Sequence, residues 1–347
     1  MKHFTDLHLL KKIWNSPSKP TYFILFWAMA SLLLLSVFSV CIGNYPLSMQ
    51  DITHILLGNA ASPIDTSVFY QVRLPRATMA ILAGIVLGIS GGIYQLVFEN
   101  ALASPDLTGV ASGAALGAAV AMFLGYEVFV RIGFAFAGGV ITLALVLLVV
   151  YAVKAVGVYV YILVGLIVSS AAQAGLMLLK ALANKEGIVI AIEYWTMGSF
   201  SAMTSQKLLY AAIIAVPAVL ILLLFEKQAK ILSMGAETAL SVGLSVSFWR
   251  AVLLILSTLA VSAIVSVSGV ISFAGLIAPH IVFLLIKHKG SFYLLLCGIA
   301  GGILLVSADL LARCALSGIE LPLSVFTVMF ALPIFIILLL QRGKNHA

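Results

Sequence analysis

The sequence predicts an all-α, polytopic membrane protein of about ten transmembrane helices, and three observations carry that expectation. Hydrophobic residues make up 63% of the 347 and charged residues only 9%, whereas soluble domains are about a quarter charged. The mean hydropathy is +1.20. Third, the chain divides into apolar runs close to the roughly 20 residues that a helix needs to cross the hydrocarbon, joined by short polar segments. A net charge of +7 would point to nucleic acid in a soluble chain. Here the basic residues cluster in short loops, where they set topology, so nucleic-acid binding is excluded.

The first run, "TYFILFWAMASLLLLSVFSVCI" (21–42), follows a basic leader, 1–20, with Lys2, Lys11, Lys12 and Lys19. The triplet Ala28-Met29-Ala30 resembles a signal-peptidase site but lies inside the apolar run, which is longer than the roughly 7–15 residues of a secretory core. An uncleaved span at 22–42 is expected. Further spans follow at 75–97, 107–125, 129–152, 158–182 and 208–225. The region 249–287 is too long for one helix, and "SVSG" (266–269) interrupts it with residues that weaken helices, so it divides into 249–267 and 270–287. Spans at 291–314 and 322–340 complete ten, within a single domain covering 1–347.

An even count places both termini on one side. With the N-terminus in the cytoplasm, Lys2, Lys11, Lys12, Lys19, Lys154, Lys227, Lys230, Arg250, Lys287, Lys289, Arg342 and Lys344 lie inside. Arg73, Arg76, Arg131, Lys180, Lys185, Lys207 and Arg313 lie outside. The excess favours N-in and C-in and puts 226–248 in the cytoplasm.

Small residues crowd "LAGIVLGISGG" (82–92) and "GVASGAALGAAVA" (109–121), as expected where helix backbones approach closely. Ser90-Gly91-Gly92-Ile93 and Ser268-Gly269-Val270-Ile271 form a faint echo, of the kind an inverted repeat leaves. Cys41, Cys297 and Cys314 have apolar surroundings and no C-x-x-C spacing, so neither a disulfide framework nor a metal site is indicated.

The segment 229–248 reads as two short cytoplasmic helices, Lys230 to Met234 and Ala236 to Val242, separated at Gly235 and stopped at Gly243. Glu237 suits the first turn of the second. Ile231, Leu232, Met234, Leu240 and Val242 form an apolar surface outside the bilayer, which fits either a partner protein or a helix resting on headgroups.

"LSMGAETALSVGL" (232–244) resembles the cytoplasmic coupling segment of the FecCD family, the membrane subunits of ABC importers for iron-siderophores, haem and vitamin B12. Collinear likenesses run through "QVRLPRATMAILAGIVLGISGGIYQLVFENALASPDLTGVASGAALGA" (71–118), "YWTMGSFSA" (194–202), "GVISFAGLIAPHIVFLL" (269–285), "LLVSADLLARCAL" (304–316) and "ELPLSVFTVMFALPIFIILLLQR" (320–342), nearly the whole chain. Ala101 stands where the family usually has proline, and Lys287-His288-Lys289 where it often has an acid-His-Arg triplet.

The resemblance implies an inverted-repeat permease in the bacterial cytoplasmic membrane, paired with a second permease subunit that is identical or paralogous. Its other partners would be two ATPase subunits and an extracytoplasmic substrate-binding protein. Leu232, Met234, Gly235, Ala236, Glu237, Leu240 and Gly243 would couple it to the ATPases. Arg73, Arg76 and Arg313 would meet glutamates of the binding protein, a role suited to bidentate guanidinium, although such residues also snorkel to the interface. Ser169, Ser170 and Gln173 would border the pathway, or hydrogen-bond between helices. No cofactor or metal is expected on this chain. It lacks G-x-x-x-x-G-K-[ST], so Mg-ATP would be used by the partner, and the chain is not expected to be an enzyme.

Asp309 and Arg313 are four apart on one helix and can pair. Pro279 is expected to bend its span, with His280 satisfying the freed backbone; one histidine without a second ligand is poor metal chemistry. Neither the G-x-S-G of a rhomboid-type protease nor H-E-x-x-H is present. An ion-driven transporter would need acids at the midplane, which are lacking. Iron-siderophore leads as cargo, with haem, cobalamin and oxyanions as alternatives.

Overall fold

Every regular element of the computed structural model is helical. The structure describes residues 19–43, 45–59, 62–154, 157–183, 185–286, 290–316 and 320–344; most of the leader and the triplet 287–289 lie outside these. In chain order the helices are α1 (Lys19–Cys41), α2 (Met49–Leu56), α3 (Pro63–Ser67), α4 (Leu74–Val97), α5 (Val110–Phe123), α6 (Val128–Ala152), α7 (Val158–Leu182), α8 (Glu186–Met197), α9 (Ser205–Leu224), α10 (Glu226–Leu232), α11 (Ala236–Ser241), α12 (Val246–Ser268), α13 (Ala274–Ile286), α14 (Tyr293–Cys314) and α15 (Leu323–Lys344).

Each expected span overlaps one apolar helix. Seven, among them the continuous Pro63–Val97 run, are long and apolar enough to cross a bilayer, and α5, α13 and the apolar part of α15 are shorter. The shortness of α13 has a local cause. α12 ends where Gly269 adopts φ +75°, and the chain runs without helix to Phe273 at φ +62° before α13 begins.

α2, α3 and α8 were not among the expected elements. Ser48 and Asp51 form a capping box at the start of α2, an S-x-x-D signal that is visible in the sequence. Between α3 and α4 the chain runs in π register from Val68 to Arg73, because Pro75 has no N–H to give the carbonyl four residues back.

α4 is almost wholly buried, and its main partner is α14. The seam is made of glycine. A Cβ at Gly84 would strike the carbonyl of Gly301, one at Gly88 the carbonyl of Cys297, and one at Gly91 the carbonyl of Gly275 in α13. Lipid tails are as apolar as leucine side chains, so helices associate in a bilayer through such close packing. The same device joins α5 to α6, where Gly113 and Gly138 face one another. Little of α1 is fully buried, although Ile24, Ala28 and Leu32 pack on the core, and only a minority of α6, α7 and α9 is, which leaves wide apolar faces for lipid or another subunit.

Two expectations change. Ser90 to Ile93 lie inside α4, which continues to Val97, whereas Ser268 ends α12; the four-residue echo is therefore not a structural correspondence. His280 Nδ1 lies 2.7 Å from the carbonyl of Leu276, one residue beyond the carbonyl of Gly275 that Pro279 leaves free, and within 3.3 Å of Gln95 Nε2.

Leucine at Gly84 has no room without parting α4 from α14, so Gly84→Leu is expected to destabilise the protein by more than the roughly 1–3 kcal/mol of ordinary overpacking. Gly133, with nothing within 4 Å of its Cβ position, is the control. Thermal unfolding in detergent micelles should show a large fall for the first substitution and little change for Gly133→Leu.

Candidate functional site

Two ends and a lateral groove make up the candidate site. At one end Arg250 Nη2 lies 3.6 Å from Glu99 Oε1, which ties the start of α12 to the turn after α4. Lys230 Nζ lies 2.8 Å from Glu226 Oε1 and donates to the carbonyl of Gly290 at 2.6 Å. The Leu294 N–H donates to Glu226 at 3.3 Å, so α10 is anchored to the start of α14. With this anchoring the first of the two short helices runs Glu226–Leu232, starting four residues earlier than its apolar pattern indicated. The second runs Ala236–Ser241. Gly235 at φ +99° and Gly243 at φ +77° make the two turns, in backbone that other residues rarely adopt.

The residues expected to couple divide by exposure. Leu232 is 1% exposed and belongs to the core, and Met234, Gly235 and Ala236 are half-buried. Glu237, Leu240 and Gly243 are exposed. Leu240 and Val242, with nearby Phe248, make the apolar surface that remains. Ala239 faces inward, fully buried.

At the opposite end Arg73, Arg76 and Arg313 are all buried and engaged by this chain's own acceptors, a departure from the surface position expected of them. Arg73 Nη1 donates to the carbonyls of Val40 at 2.8 Å and Cys41 at 2.6 Å, and its Nη2 to that of Tyr45. It thereby caps the C-terminus of α1, where a cation suits the helix dipole. Asp309, fully buried, lies 2.9 Å from Arg76 Nε and 3.0 Å from Arg313 Nη2. Arg313 also donates to Ser39 Oγ at 2.6 Å and the carbonyl of Ile42 at 3.0 Å. Arg76 Nη1 reaches Glu320 Oε1 at 2.8 Å. The expected Asp309–Arg313 pair is present, enlarged to a chain of four charges joining α4, α14 and the approach to α15. Spacing within one helix could show the pair and not the other two members.

Between the ends runs a groove open on one side. A cavity of about 460 Å³ takes in Asp106, Ser112, Ser169, Gln173 and Phe273. A second of about 200 Å³ shares Ala111, Ser112, Gln173 and Val270 with it and extends to Thr196. Ser169 and Gln173, one turn apart on α7, face the groove together. Ser170 does not. It lies about 100° round the helix and donates to its own Leu166 carbonyl at 2.8 Å. Ser169 Oγ is buried without a hydrogen-bond partner.

The far wall is the non-helical run 269–273. Irregular backbone at membrane depth is tolerated only where it is buried in protein or lines a cavity. Here Ser324 Oγ donates to the carbonyl of Val270 at 3.1 Å, and Phe273 faces the groove. Ser112 and Thr196 escaped the sequence reading, and Asp106 reads there only as turn material; the break after Ser268 was the signal that pointed to this wall. Among the described residues, no group of three or more His, Cys, Asp or Glu is placed to hold a metal ion.

Comparison with known proteins agrees with this architecture. The model of the FecCD transport family matches residues 31–341. The chain is 32% identical over 326 residues to the molybdate import system permease MolB of Haemophilus influenzae, covering 92% of this chain and 96% of that protein. It is 33% identical over 316 residues to the vitamin B12 import system permease BtuC of Escherichia coli, covering 90% and 93%. A solved inward-facing transporter, provisionally assigned to the metal-chelate ABC type, superposes with a TM-score of 0.82 at 31% identity, over 92% of this chain and 99% of that one.

Asp309 is the hub of the buried charges. Removing one partner from such a cluster leaves uncompensated charge and typically costs about 3–5 kcal/mol. Asp309→Asn is expected to lower thermal stability on that scale, while Glu320→Gln, at a partly exposed pair, should cost less than about 1 kcal/mol. Unfolding of the purified variants in micelles measures both.

Proposed function

The chain belongs to the FecCD transport family and is a permease subunit of an ABC importer, and we propose that its cargo is a metal chelate, an iron-siderophore complex foremost. On this reading it works in the bacterial cytoplasmic membrane beside a second permease subunit, whose presence would close the open side of the groove. Two ATPase subunits dock at the end that carries α10 and α11. An extracytoplasmic binding protein delivers the chelate at the other end.

The observation that carries the proposal is the position of the groove. It runs from the turn between α4 and α5 along α7 as far as Leu176, and reaches Thr196 near the end of α8. Its walls are mainly apolar, with hydroxyls, one amide and the Asp106 carboxylate among them, which would let a bulky complex slide without holding it tightly. A pathway flanked by a coupling surface suits alternating access: ATP closes the ATPase pair, the short coupling helices transmit the movement, and the outer and inner ends open in turn. The chain itself contributes conformational change rather than covalent chemistry, and Mg-ATP belongs to the partner.

Docking of the binding protein through Arg73, Arg76 and Arg313 takes a particular form on this reading. Glu320 is partly exposed, so a carboxylate of the docked protein would replace it on Arg76. Arg73 and Arg313 would hold the loops that frame the contact. The molybdate and vitamin B12 permeases among the relatives show how widely cargo varies within this sequence similarity.

The test is ATPase activity of the chain co-expressed with its ATPase and purified in detergent. The wild-type complex is expected to co-purify and to respond to the binding protein. Glu237→Arg and Leu240→Asp, both on exposed positions of α11, should reduce association or stimulation at least tenfold. An ATPase that binds and responds equally to the variants would remove α11 from the coupling role.

A further inference from the structure

We infer that cargo crosses the groove without net negative charge, and that Asp106 imposes this restriction. The inference rests on reading the groove as the pathway. Among the residues that line its two cavities, Asp106 is the one charged side chain, and neither lysine, arginine nor histidine is present to offset it. Its carboxylate forms no ion pair with any described residue. The residue is exposed, because it faces the groove, yet it is set deep in surrounding protein, which pushes its carboxyl up to about 6. It is therefore still mostly ionised at neutral pH.

Its place is defined by the local fold. Pro105–Thr108 is a single 3-10 turn, closed by Gly109 at φ +80°. The other side of this turn is anchored, since Thr108 Oγ1 donates to the carbonyl of Pro105 at 3.0 Å and lies 2.8 Å from Tyr94 Oη. With Thr108 held inward against α4, Asp106 is left on the groove side, at the end shared with Glu99 and the coupling helices. A charge fixed in a narrow passage with low-dielectric walls acts on whatever passes. If a second copy completes the groove, two such carboxylates face the cargo.

The restriction divides the available chelates by simple charge balance. Three hydroxamates, each carrying one negative charge, neutralise Fe(III). Three catecholates, each carrying two, leave the complex at −3, and a tetrahedral molybdate is a dianion. Asp106 admits the first class, together with neutral corrinoids, and opposes the other two.

The experiment uses the complete importer in lipid vesicles, with Cys41, Cys297 and Cys314 replaced by serine and a single reporter introduced as Ser112→Cys or Gln173→Cys. Modification rates by a cationic and an anionic methanethiosulfonate of similar size are compared, each relative to a free thiol. The cationic reagent is expected to be favoured at least fivefold, the preference to fall towards one with Asp106→Asn, and to reverse with Asp106→Lys. A ratio near one with Asp106 intact, or one unchanged by Asp106→Asn, overturns the inference. ATP-driven uptake of a neutral ferric tris-hydroxamate and of molybdate is measured in the same vesicles. Molybdate uptake overturns the charge restriction while leaving ATP-driven import standing. If neither probe is taken up but the thiol ratio is as expected, the charge assignment holds and the import reading fails.

Discussion

The structure depends on the contact between α4 and α14. Along most of its length this contact is backbone against backbone, possible because Gly84 and Gly88 face Gly301 and Cys297 without an intervening side chain. At one end the seam is closed by Asp309 between Arg76 and Arg313. Both features are costly alone. Glycine weakens a helix, and charges buried in a bilayer require close compensation. Together they specify one register, since sliding either helix by a turn would set glycine against side chain and leave the carboxylate without its arginines.

This rigid pair gives the more open elements something to move against. α10 is tied to the start of α14 through Lys230 and Glu226, and α12 to the turn after α4 through Arg250 and Glu99. On the proposed coupling role, movement of α10 would reach α14 directly through these contacts. The groove lies to one side, along α5 and α7, where one wall, the run 269–273, is not helical at all.

Relatives that carry molybdate and vitamin B12 are about equally similar to this chain. The overall fold consequently says little about cargo. On the reading of the groove as the passage, any discrimination within the permease would rest on the few polar and charged side chains that line it, most of which lie on the short turn 105–108, on α7 and on the broken segment 269–273.

Composition and periodicity were enough to determine that the chain is a helical membrane protein, where its apolar helices fall, and that Gly235 separates two short helices outside them. These are local properties, set by the length of an apolar run and by the torsional freedom of glycine. They also placed Ser169 and Gln173 together in outline, while Ser170 was separated from them only by the 100° step of an actual helix. What lay beyond local reach was pairing. Arg76 and Asp309 are 233 residues apart in sequence, and nothing near either shows that they meet, or that the arginines turn inward rather than towards a partner. The same holds for Asp106, an ordinary turn residue by its neighbours, which becomes the single charge of the groove only when α5, α7 and the break after α12 are brought side by side. Local sequence decides which segments become helices in a bilayer, whereas the tertiary structure decides which buried charges compensate one another, because that depends on distances between segments far apart in the chain.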